Sequence, residues 1–454
     1  MAPLACLLKG LGHDVRGSDG LLYPPMSTLL GGAGIEPMVD FTPDHLVPRP
    51  DLVIVGNAVP RDNPEALATE EMGIERISMP QALSRFFLAE RKPLVIAGTH
   101  GKTTTTAMAS WIYQECGSDP GYLIGGVPLG MAGSFSAGTG DRFVIEGDEY
   151  NAAYFDRGPK FLHYQPQTLV LTSAEYDHAD LYPDPEALLS AYRSLIELLP
   201  EDGLLIAYGD SAAVRKLAER AECKVVFYGF AEDNTVAPSG VVEYDHEGSR
   251  FTLRDVDGTE IDVGLGVTGE HNVLDALAAW AAARMDGIPA ADVAAALERF
   301  SGVKRRMEEL GTQREVTVVD DFAHHPTAVA KTLQALHSRY PDQRIVALFE
   351  PRSLTAGRSL FQEEYLEAFA TADRVLFAPV FHAKRLTDNE RLDLRQLSTD
   401  LLSRGVPATI GKNTDELLEL ALKEARPGDV LVTMSSGDFA SMPQRLIEGL
   451  TPKQ

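Results

Sequence analysis

Residues 98–104 have the types and spacing of a phosphate-binding loop. The apolar run LVIA leads into a glycine-rich turn at Gly101, and Lys102 then begins a predicted helix. Helix N-termini bind phosphate oxygens, a lysine neutralises their charge, and a threonine hydroxyl can ligate Mg²⁺. A glycine is missing at Ile96, so an ordinary turn into a helix is the alternative. We expect a nucleoside triphosphate to bind Gly98, Thr99, His100, Gly101, Lys102, Thr103 and Thr104, with Lys102 in a solvated loop.

Two later segments end predicted strands with possible metal ligands. The first, VIEGDE, carries Glu146, Asp148 and Glu149, and the second, SAEYDHAD, carries Glu175, Asp177, His178 and Asp180. Ligands collect at the carboxyl ends of strands in open α/β sheets. Mg²⁺ prefers oxygen ligands, which makes a histidine in such a group informative. A solvated acidic loop is the alternative, but two acidic strand ends after a phosphate loop favour a metal site.

Composition narrows the class of protein. A chain of 454 residues predicts two or three domains, and no apolar run is long enough to span a membrane. The three cysteines are scattered without metal spacing, and the N-terminus has no secretory pattern, so we expect a cytoplasmic protein. A net charge of −25 argues against a nucleic-acid partner. The oligomeric state cannot be obtained from the sequence.

The order of predicted elements indicates an α/β fold with three domains. Residues 1–90 alternate short strands, including one over 13–19, with helices, as in a Rossmann-like unit. Residues 91–302 add the phosphate loop, a mainly parallel sheet, a helix over 185–199 and antiparallel hairpins over 241–265. Residues 303–454 restart the β–α rhythm as a doubly wound, Rossmann-like domain.

The start of the chain is unusual for a Rossmann-like unit. Met1 already lies inside a predicted helix, whereas such units open with a strand and a glycine-rich turn. We therefore expect the first strand and its phosphate loop to be missing from residues 1–90. We also expect this region to be less stable than the other two, because a sheet without one strand keeps unpaired backbone groups.

Six motifs, taken in order, resemble those of the Mur ligases of bacterial peptidoglycan synthesis. They are GTHGKTTT, EGDEYNAAYFD, EYDHAD, GEHN, KRRME and DDFAHHPTA, and together they span most of the chain. The resemblance implies that residues 1–90 bind a UDP-sugar, that 91–302 form a central ATPase using ATP and Mg²⁺, and that 303–454 bring the amine substrate. It also implies that ATP phosphorylates a carboxylate, which the amine then attacks to form an amide.

The resemblance also implies roles for single residues. Lys102, Glu146, His178 and Arg306 match the catalytic positions, and Thr103, Glu146 and His178 match the metal-binding ones. His271 and Asn272 match the family's His-Asn pair at the adenine, Arg306 enters the ATP site from the third domain, and Asp321 lies near the ribose. A helix cap at Asn272 and a solvated basic turn at Arg305 and Arg306 are the alternatives.

This sequence departs from the family's pattern at several positions. Asp275 stands where many relatives have a second asparagine, which leaves its adenine role open. Several relatives carry a carbamylated lysine after the Asp-His-x-Asp motif, but no lysine occurs here between His178 and Lys216. The remaining candidates for the UDP-sugar are Ser18, Asp19 and Asn57, and Asn57 has the alternative of a simple turn residue.

The motifs YPPMSTLL, KFLHYQP and FEPRS favour one activity within the family. It is the ligation of the tripeptide L-alanyl-γ-D-glutamyl-meso-diaminopimelate to UDP-N-acetylmuramate, in peptidoglycan recycling. Arg352, in FEPRS, is a candidate partner for the peptide's carboxylates, with Arg358, Lys384 and Arg385 in nearby loops and surface charge as the alternative. The other hypotheses are addition of L-alanine to the same nucleotide sugar, and a non-catalytic nucleotide-binding regulator.

Overall fold

The computed structural model describes residues 1–23 and 25–451. Pro24, which belongs to the YPPMSTLL motif, and residues 452–454, the end of the third predicted domain, lie outside the described residues. None of the helices in the described ranges is long and apolar enough to cross a lipid bilayer. The chain forms mixed α/β structure with mostly parallel sheets, which confirms the predicted fold class.

Residues 1–91 contain short elements around two separate pairs of parallel strands. Strand β1 pairs with β2 and β3 with β4, and no sheet joins the two pairs within the described part of the chain. The strand predicted over 13–19 is only two residues long. The elements are α1 Ala2–Gly10, β1 Ser18–Asp19, α2 Met26–Gly32, β2 Met38–Val39, β3 Leu52–Val55, α3 Pro64–Glu71, β4 Glu75–Ser78 and α4 Met79–Leu83.

The next region is built on a seven-stranded sheet in the order β13-β12-β11-β5-β8-β6-β7, parallel except for β7. Its central strand β5 is an apolar run that helices cover on both faces, as the sequence predicts. The elements are β5 Lys92–Ala97, α5 Lys102–Glu115, β6 Gly121–Leu123, β7 Phe135–Ser136, β8 Arg142–Gly147, β9 Asn151–Ala153, β10 Asp156–Pro159, β11 Thr168–Leu171, α6 Pro185–Ile196, β12 Leu204–Tyr208, α7 Ala212–Ala218 and β13 Lys224–Tyr228.

The hairpins predicted over 241–265 are confirmed, but they form a separate three-stranded antiparallel sheet. Two alanine-rich helices follow, and their side chains pack with this sheet and α5 in one apolar core. Helix α6 ends before the predicted boundary at Leu199, because Pro200 disfavours helical backbone in the residue that precedes it. The elements are β14 Ala237–Tyr244, β15 Ser249–Arg254, β16 Glu260–Leu265, α8 Glu270–Met285 and α9 Ala290–Glu298.

The last region is a six-stranded sheet in the order β17-β18-β22-β19-β20-β21, parallel except for β17. Apolar side chains cover both of its faces, as in a doubly wound fold. The elements are β17 Glu308–Gln313, β18 Val316–Asp321, α10 Pro326–Arg339, β19 Arg344–Phe349, α11 Gln362–Phe369, β20 Arg374–Phe377, α12 Leu394–Ser403, β21 Ala408–Ile410, α13 Thr414–Glu424, β22 Asp429–Met434 and α14 Met442–Leu450.

We predict that the amides of β3 exchange hydrogen at least tenfold faster than those of β5. Strand β3 belongs to a two-stranded sheet over a small apolar cluster of Leu46, Ala68 and Ile74, whereas β5 lies inside a seven-stranded sheet and is buried from its second residue onward. Local opening is easier where few apolar contacts must break. Hydrogen exchange with mass spectrometry measures this, with β18 as a control that should match β5. Equal protection of β3 and β5 would contradict the prediction.

Candidate active site

The loop between β5 and α5 has a backbone that only glycine allows at two positions. Gly98 has φ +131°, and a Cβ there would lie 2.3 Å from the Thr172 hydroxyl oxygen. Gly101 has φ +81°, and its Cβ would lie 2.6 Å from a carboxylate oxygen of Asp275. Helix α5 then begins at Lys102, as the sequence predicts. The loop therefore places the α5 N-terminus at the end of β5, where a phosphate can bind, and the His100 backbone N–H donates to the Ser173 hydroxyl at 2.8 Å.

Lys102 is held by a buried carboxylate on a neighbouring strand end. Its Nζ lies 3.0 Å from each carboxylate oxygen of Glu149 and 2.6 Å from the Gly98 carbonyl. The Tyr192 hydroxyl donates to the same carboxylate at 2.6 Å. Burial alone would lower the pKa of Lys102, but Glu149, Asp148 and Glu146 outweigh burial and raise it. The expected solvated lysine is therefore wrong for this state, since only 14 % of the side chain is exposed.

Thr103, Glu146 and Arg306 meet beside the lysine. The Thr103 hydroxyl donates to Glu146 at 3.1 Å, and the Arg306 guanidinium reaches that hydroxyl at 3.3 Å from the third region. The backbone N–H of Gly125 donates to the other oxygen of Glu146. Burial and the nearby Asp148 raise the pKa of Glu146. Carboxylate and hydroxyl oxygens are the donors that Mg²⁺ prefers, so Thr103 and the half-buried Glu146 fit that ion.

His178 lies on the other side of the Lys102–Glu149 pair. Its Nε2 is 3.9 Å from Glu149 and 4.0 Å from Asp177, and its ring packs on Tyr150 with centroids 4.5 Å apart. Its φ of +57° lies in the left-handed region, which histidine adopts more readily than most residues other than glycine. The structure thus brings His178 to the same acidic strand ends as Lys102, where a cation between carboxylates would be stabilised.

Helix α8 carries three candidate polar side chains, of which Asp275 lies beside Gly101 of the phosphate loop. Asn272 donates to the Thr268 carbonyl at 2.7 Å, and Gly269 rather than Asn272 occupies the N-cap, so the helix-cap alternative is wrong. Burial, together with Lys331 and Arg306, lowers the pKa of His271 to about 4. Asp275 accepts the Thr105 hydroxyl at 2.8 Å, and burial raises its pKa to about 8. Asp275 thus supports α5 from below.

Asp321 fixes the turn that carries Arg306. Its carboxylate accepts the backbone N–H of Met307 at 2.7 Å and that of Ala323 at 2.6 Å. Both Arg305 and Met307 have positive φ, so the turn needs such support. Arg305 pairs with Asp320 at 3.2 Å and donates to backbone carbonyls, whereas Arg306 points to Thr103. The two arginines therefore differ from a plain solvated basic turn.

A cavity of about 170 Å³ opens between the His178 loop and loops of the third region. Asp177 and His324 lie on its wall together with Arg385, and the full lining is Tyr150, Asp177, His178, Asp180, His324, Ser353, Leu354, Thr355, His382 and Arg385. Arg352 does not line it. Its guanidinium lies 3.1 Å from Asp438, 3.5 Å from Glu350 and 3.9 Å from the Phe381 ring centroid.

The candidate UDP-sugar residues lie in the first region of the chain. The Ser18 hydroxyl donates to Glu65, Asp19 accepts the Gly20 backbone N–H at 2.8 Å, and Asn57 is exposed in a turn. Burial, and then Lys160 of the central region, lower the pKa of the Met1 amino group, and Asp19 opposes them. Their binding role stays a prediction.

Several residues of this site had no separate role in the sequence interpretation. Tyr192 and Glu149 hold the lysine, and Thr105 joins Asp275. Glu149 had a signal, since it ends an acidic strand, but three carboxylates there did not identify which one faces Lys102. Tyr192 and Thr105 had none, because each partner is more than forty residues away in the chain.

Together, the phosphate loop, the Thr103–Glu146 pair and an arginine from an adjacent α/β unit define an enzyme that acts on a nucleotide phosphate. Family models agree with this class. The one described as "Mur ligase family, catalytic domain" matches residues 1–91, "Mur ligase middle domain" matches 96–283, and "Mur ligase, glutamate ligase domain" matches 305–437. The chain belongs to the Mur ligase family.

Three similar proteins refine this result. The UDP-N-acetylmuramate–L-alanyl-γ-D-glutamyl-meso-2,6-diaminoheptandioate ligase of Escherichia coli is 39 % identical over all of this chain and 96 % of its own length. A solved murein peptide ligase from Psychrobacter arcticus is 33 % identical with a TM-score of 0.74, and the match covers 100 % of this chain and 97 % of that one. The UDP-N-acetylmuramate–L-alanine ligase of Desulfitobacterium hafniense is 31 % identical over 90 % of this chain and 89 % of its own length.

We predict that Asp275→Asn raises stability at pH 8 and leaves it nearly unchanged at pH 4. Because the folded-state pKa of Asp275 is raised to about 8, its contribution is full below the unfolded pKa and is lost as the pH rises to about 8. Asparagine stays neutral and can still accept the Thr105 hydroxyl. A rise in Tm of roughly 3 °C at pH 8, followed by calorimetry, is expected. A Tm gain that is equal at both pH values would contradict the assignment.

We also predict that Lys102→Ala destabilises the central sheet by about 3 kcal/mol, because it leaves the buried Glu149 carboxylate without its cation. Lys92→Ala is the matched control, because Lys92 begins β5 with an exposed side chain that pairs with Asp141 at 3.9 Å, and its loss should change stability by about 0.5 kcal/mol at most. Urea-dependent hydrogen exchange of β5 measures both. A loss no larger than that of the control would show that the ion pair is not formed in solution.

Proposed function

We propose that this chain is the ATP-dependent ligase that joins L-alanyl-γ-D-glutamyl-meso-diaminopimelate to UDP-N-acetylmuramate. It would act in the cytoplasm, use ATP and Mg²⁺, and return recovered peptide to peptidoglycan synthesis. The observation that carries the proposal is the meeting of Lys102, Thr103, Glu146 and Arg306 around one phosphate loop. The relative from Escherichia coli named for this reaction supports it, since the similarity extends over the whole chain.

Each of the three predicted domains would bind a different substrate. Residues 1–90 bind the UDP-sugar, with Ser18, Asp19 and Asn57 as candidate contacts. Residues 91–302 bind ATP through the phosphate loop, with His271 and Asn272 of α8 towards the adenine. Residues 303–454 supply Arg306, place Asp321 near the ribose and bring the peptide.

The chemistry is an activation followed by a substitution. An oxygen of the lactyl carboxylate attacks the γ-phosphorus of ATP, the bond from that phosphorus to the bridging oxygen breaks, and an acyl phosphate and ADP result. The peptide's neutral amine then attacks the acyl carbon, phosphate leaves with the bonding pair, and the amine loses one proton. Carboxylates need this activation because their oxygen is a poor leaving group. No phosphate transfer from ATP is therefore expected without the sugar carboxylate.

The residues of the site offset the repulsion between the lactyl carboxylate and the phosphates of ATP. Lys102 can exchange Glu149 for phosphate oxygens, and Arg306 lies where charge develops on the transferred group. Mg²⁺, held by Thr103, Glu146 and His178, would add positive charge at the phosphates. Glu149 and Tyr192 keep the lysine oriented until the nucleotide takes their place.

The cavity beside His178 suits a peptide amine. Burial would raise the pKa of Asp177, but His178, His324 and His325 outweigh it and lower the pKa, so an ionised carboxylate faces the cavity. It can hold an ammonium group before the proton is lost. Arg385 lies on the same wall and can pair with a peptide carboxylate. Arg352 would bind a second carboxylate only by leaving Asp438.

The second candidate is the addition of free L-alanine, because a relative named for that reaction is 31 % identical over most of the chain. Both reactions share the nucleotide chemistry and differ in the amine. The wall of the cavity beside His178 carries Arg385 and is formed in part by loops of the third region. This wall favours a substrate with several carboxylates over one with a single carboxylate. A non-catalytic regulator would not need Lys102, Glu146 and Arg306 to meet at one site.

The first test measures phosphate release by the purified chain with ATP, Mg²⁺ and UDP-N-acetylmuramate. We expect release with the tripeptide and none above background with L-alanine. Release with alanine alone would overturn the peptide assignment, and no release with either amine would overturn the proposed function. Arg385→Ala should raise the KM for the tripeptide about tenfold, since one charged hydrogen bond is lost, and should leave the KM for ATP unchanged.

Arg306→Ala is expected to lower kcat by about a hundredfold or more while changing the Kd for ATP less than threefold. The guanidinium contacts the Thr103 hydroxyl at the transferring end of the phosphate loop, where charge appears in the transition state. Arg299→Ala, which removes an exposed arginine paired with Glu115, is the control and should leave both unchanged. A variant with weaker ATP binding and normal kcat would make Arg306 a ground-state contact only.

A further inference from the structure

Two histidines and one glutamate meet where the central and third regions touch. His100 lies in the phosphate loop, Glu175 follows β11, and His325 is the N-cap of α10. The Nε2 atom of His100 is 3.4 Å from a Glu175 carboxylate oxygen, and the Nδ1 atom of His325 is 4.0 Å from it. One ligand atom from each residue can be chosen so that all three lie within 4.8 Å of one another.

The two imidazoles are incompletely bonded. Across residues 1–23 and 25–451, the buried Nε2 atoms of His100 and His325 make no hydrogen bond of good geometry, although a Glu175 oxygen lies 3.4 Å from the His100 atom. His325 is only 6 % exposed, and its ring lies 4.6 Å from that of His100. A buried polar atom without a partner costs free energy. A bound cation would give these two nitrogens a partner.

We propose that His100, Glu175 and His325 form a binding site for a late first-row divalent cation of the zinc class. Two imidazole nitrogens and one carboxylate, with a fourth position open, are a ligand set that suits Zn²⁺. Mg²⁺ is disfavoured, because it prefers oxygen ligands. The site uses none of the residues Thr103, Glu146 and His178, to which we assign Mg²⁺.

The geometry requires a small closing movement. Zinc ligands at about 2.1 Å from the ion lie roughly 3.4 Å apart in a tetrahedral site, so no two of the three atoms must approach by more than about 1.4 Å. The Thr327 hydroxyl already donates to Glu175 at 2.6 Å and orients the carboxylate. Since the imidazoles come from opposite sides of the contact, the ion would fasten α10 to the phosphate loop. Zinc binding itself does not depend on the proposed function.

The test measures the affinity of the full, metal-free chain for Zn²⁺ by competition with a chromophoric chelator, in excess Mg²⁺. We expect one zinc per chain, and at least tenfold weaker binding in both His325→Asn and Glu175→Gln. Asparagine keeps an N-cap side chain on α10, so the helix should persist. His246→Asn, in an exposed hairpin turn, and His178→Asn, at the assigned Mg²⁺ position, are the controls and should bind zinc as the unchanged chain does.

Three outcomes would overturn the proposal. They are no zinc binding by the unchanged chain, equal binding by all variants, and a loss on His178→Asn rather than on His325→Asn. Circular dichroism checks folding, and if His325→Asn fails to fold, Glu175→Gln gives the same test, because its side chain is 45 % exposed. As a second readout, zinc should raise the Tm of the unchanged chain but not that of Glu175→Gln, because the ion binds only the folded state.

Discussion

The buried ion pair between Lys102 and Glu149 is the interaction on which the site depends. A lysine beside a phosphate loop must stay charged and oriented before nucleotide arrives, and an unpaired ammonium in this space would carry a large desolvation cost. Glu149, itself held by Tyr192, meets that requirement. The Glu149 carboxylate can also be replaced as the partner of Lys102, because phosphate oxygens carry the same sign of charge and can pair with the ammonium group.

The fold places this pair through one simple property of parallel sheets. The carboxyl ends of β5, β8 and β11 lie side by side, with Ile96 opposite Glu146 and Ala97 opposite Leu171. Every acidic group that follows these strands therefore reaches the same edge. The third region contributes through a strained turn rather than through its sheet, since Asp321 holds the backbone that sends Arg306 to Thr103. A complete site therefore needs the central and third regions in contact, because Thr103 and Arg306 come from different regions.

Much of this could be predicted because its signals are local. A buried strand, two glycines and a Lys-Thr pair predict the phosphate loop, and β–α alternation predicts the parallel sheets. The features that the sequence did not reveal depend on contacts between residues that are distant in the chain. The solvation of Lys102 is set by Glu149, and the trio of His100, Glu175 and His325 is assembled from segments far apart in the chain. The predicted strand over 13–19 shrank to two residues, since β1 has only the equally short β2 beside it.

The central claim is that this site activates the sugar carboxylate as an acyl phosphate. The most direct measurement uses UDP-N-acetylmuramate labelled with oxygen-18 in its lactyl carboxylate, together with ATP, Mg²⁺ and the tripeptide. We expect one labelled oxygen to pass from the carboxylate to inorganic phosphate for each amide formed, as read by mass spectrometry of the phosphate. Amide formation with unlabelled phosphate would contradict it, because the carboxylate oxygen would then never have bonded to phosphorus.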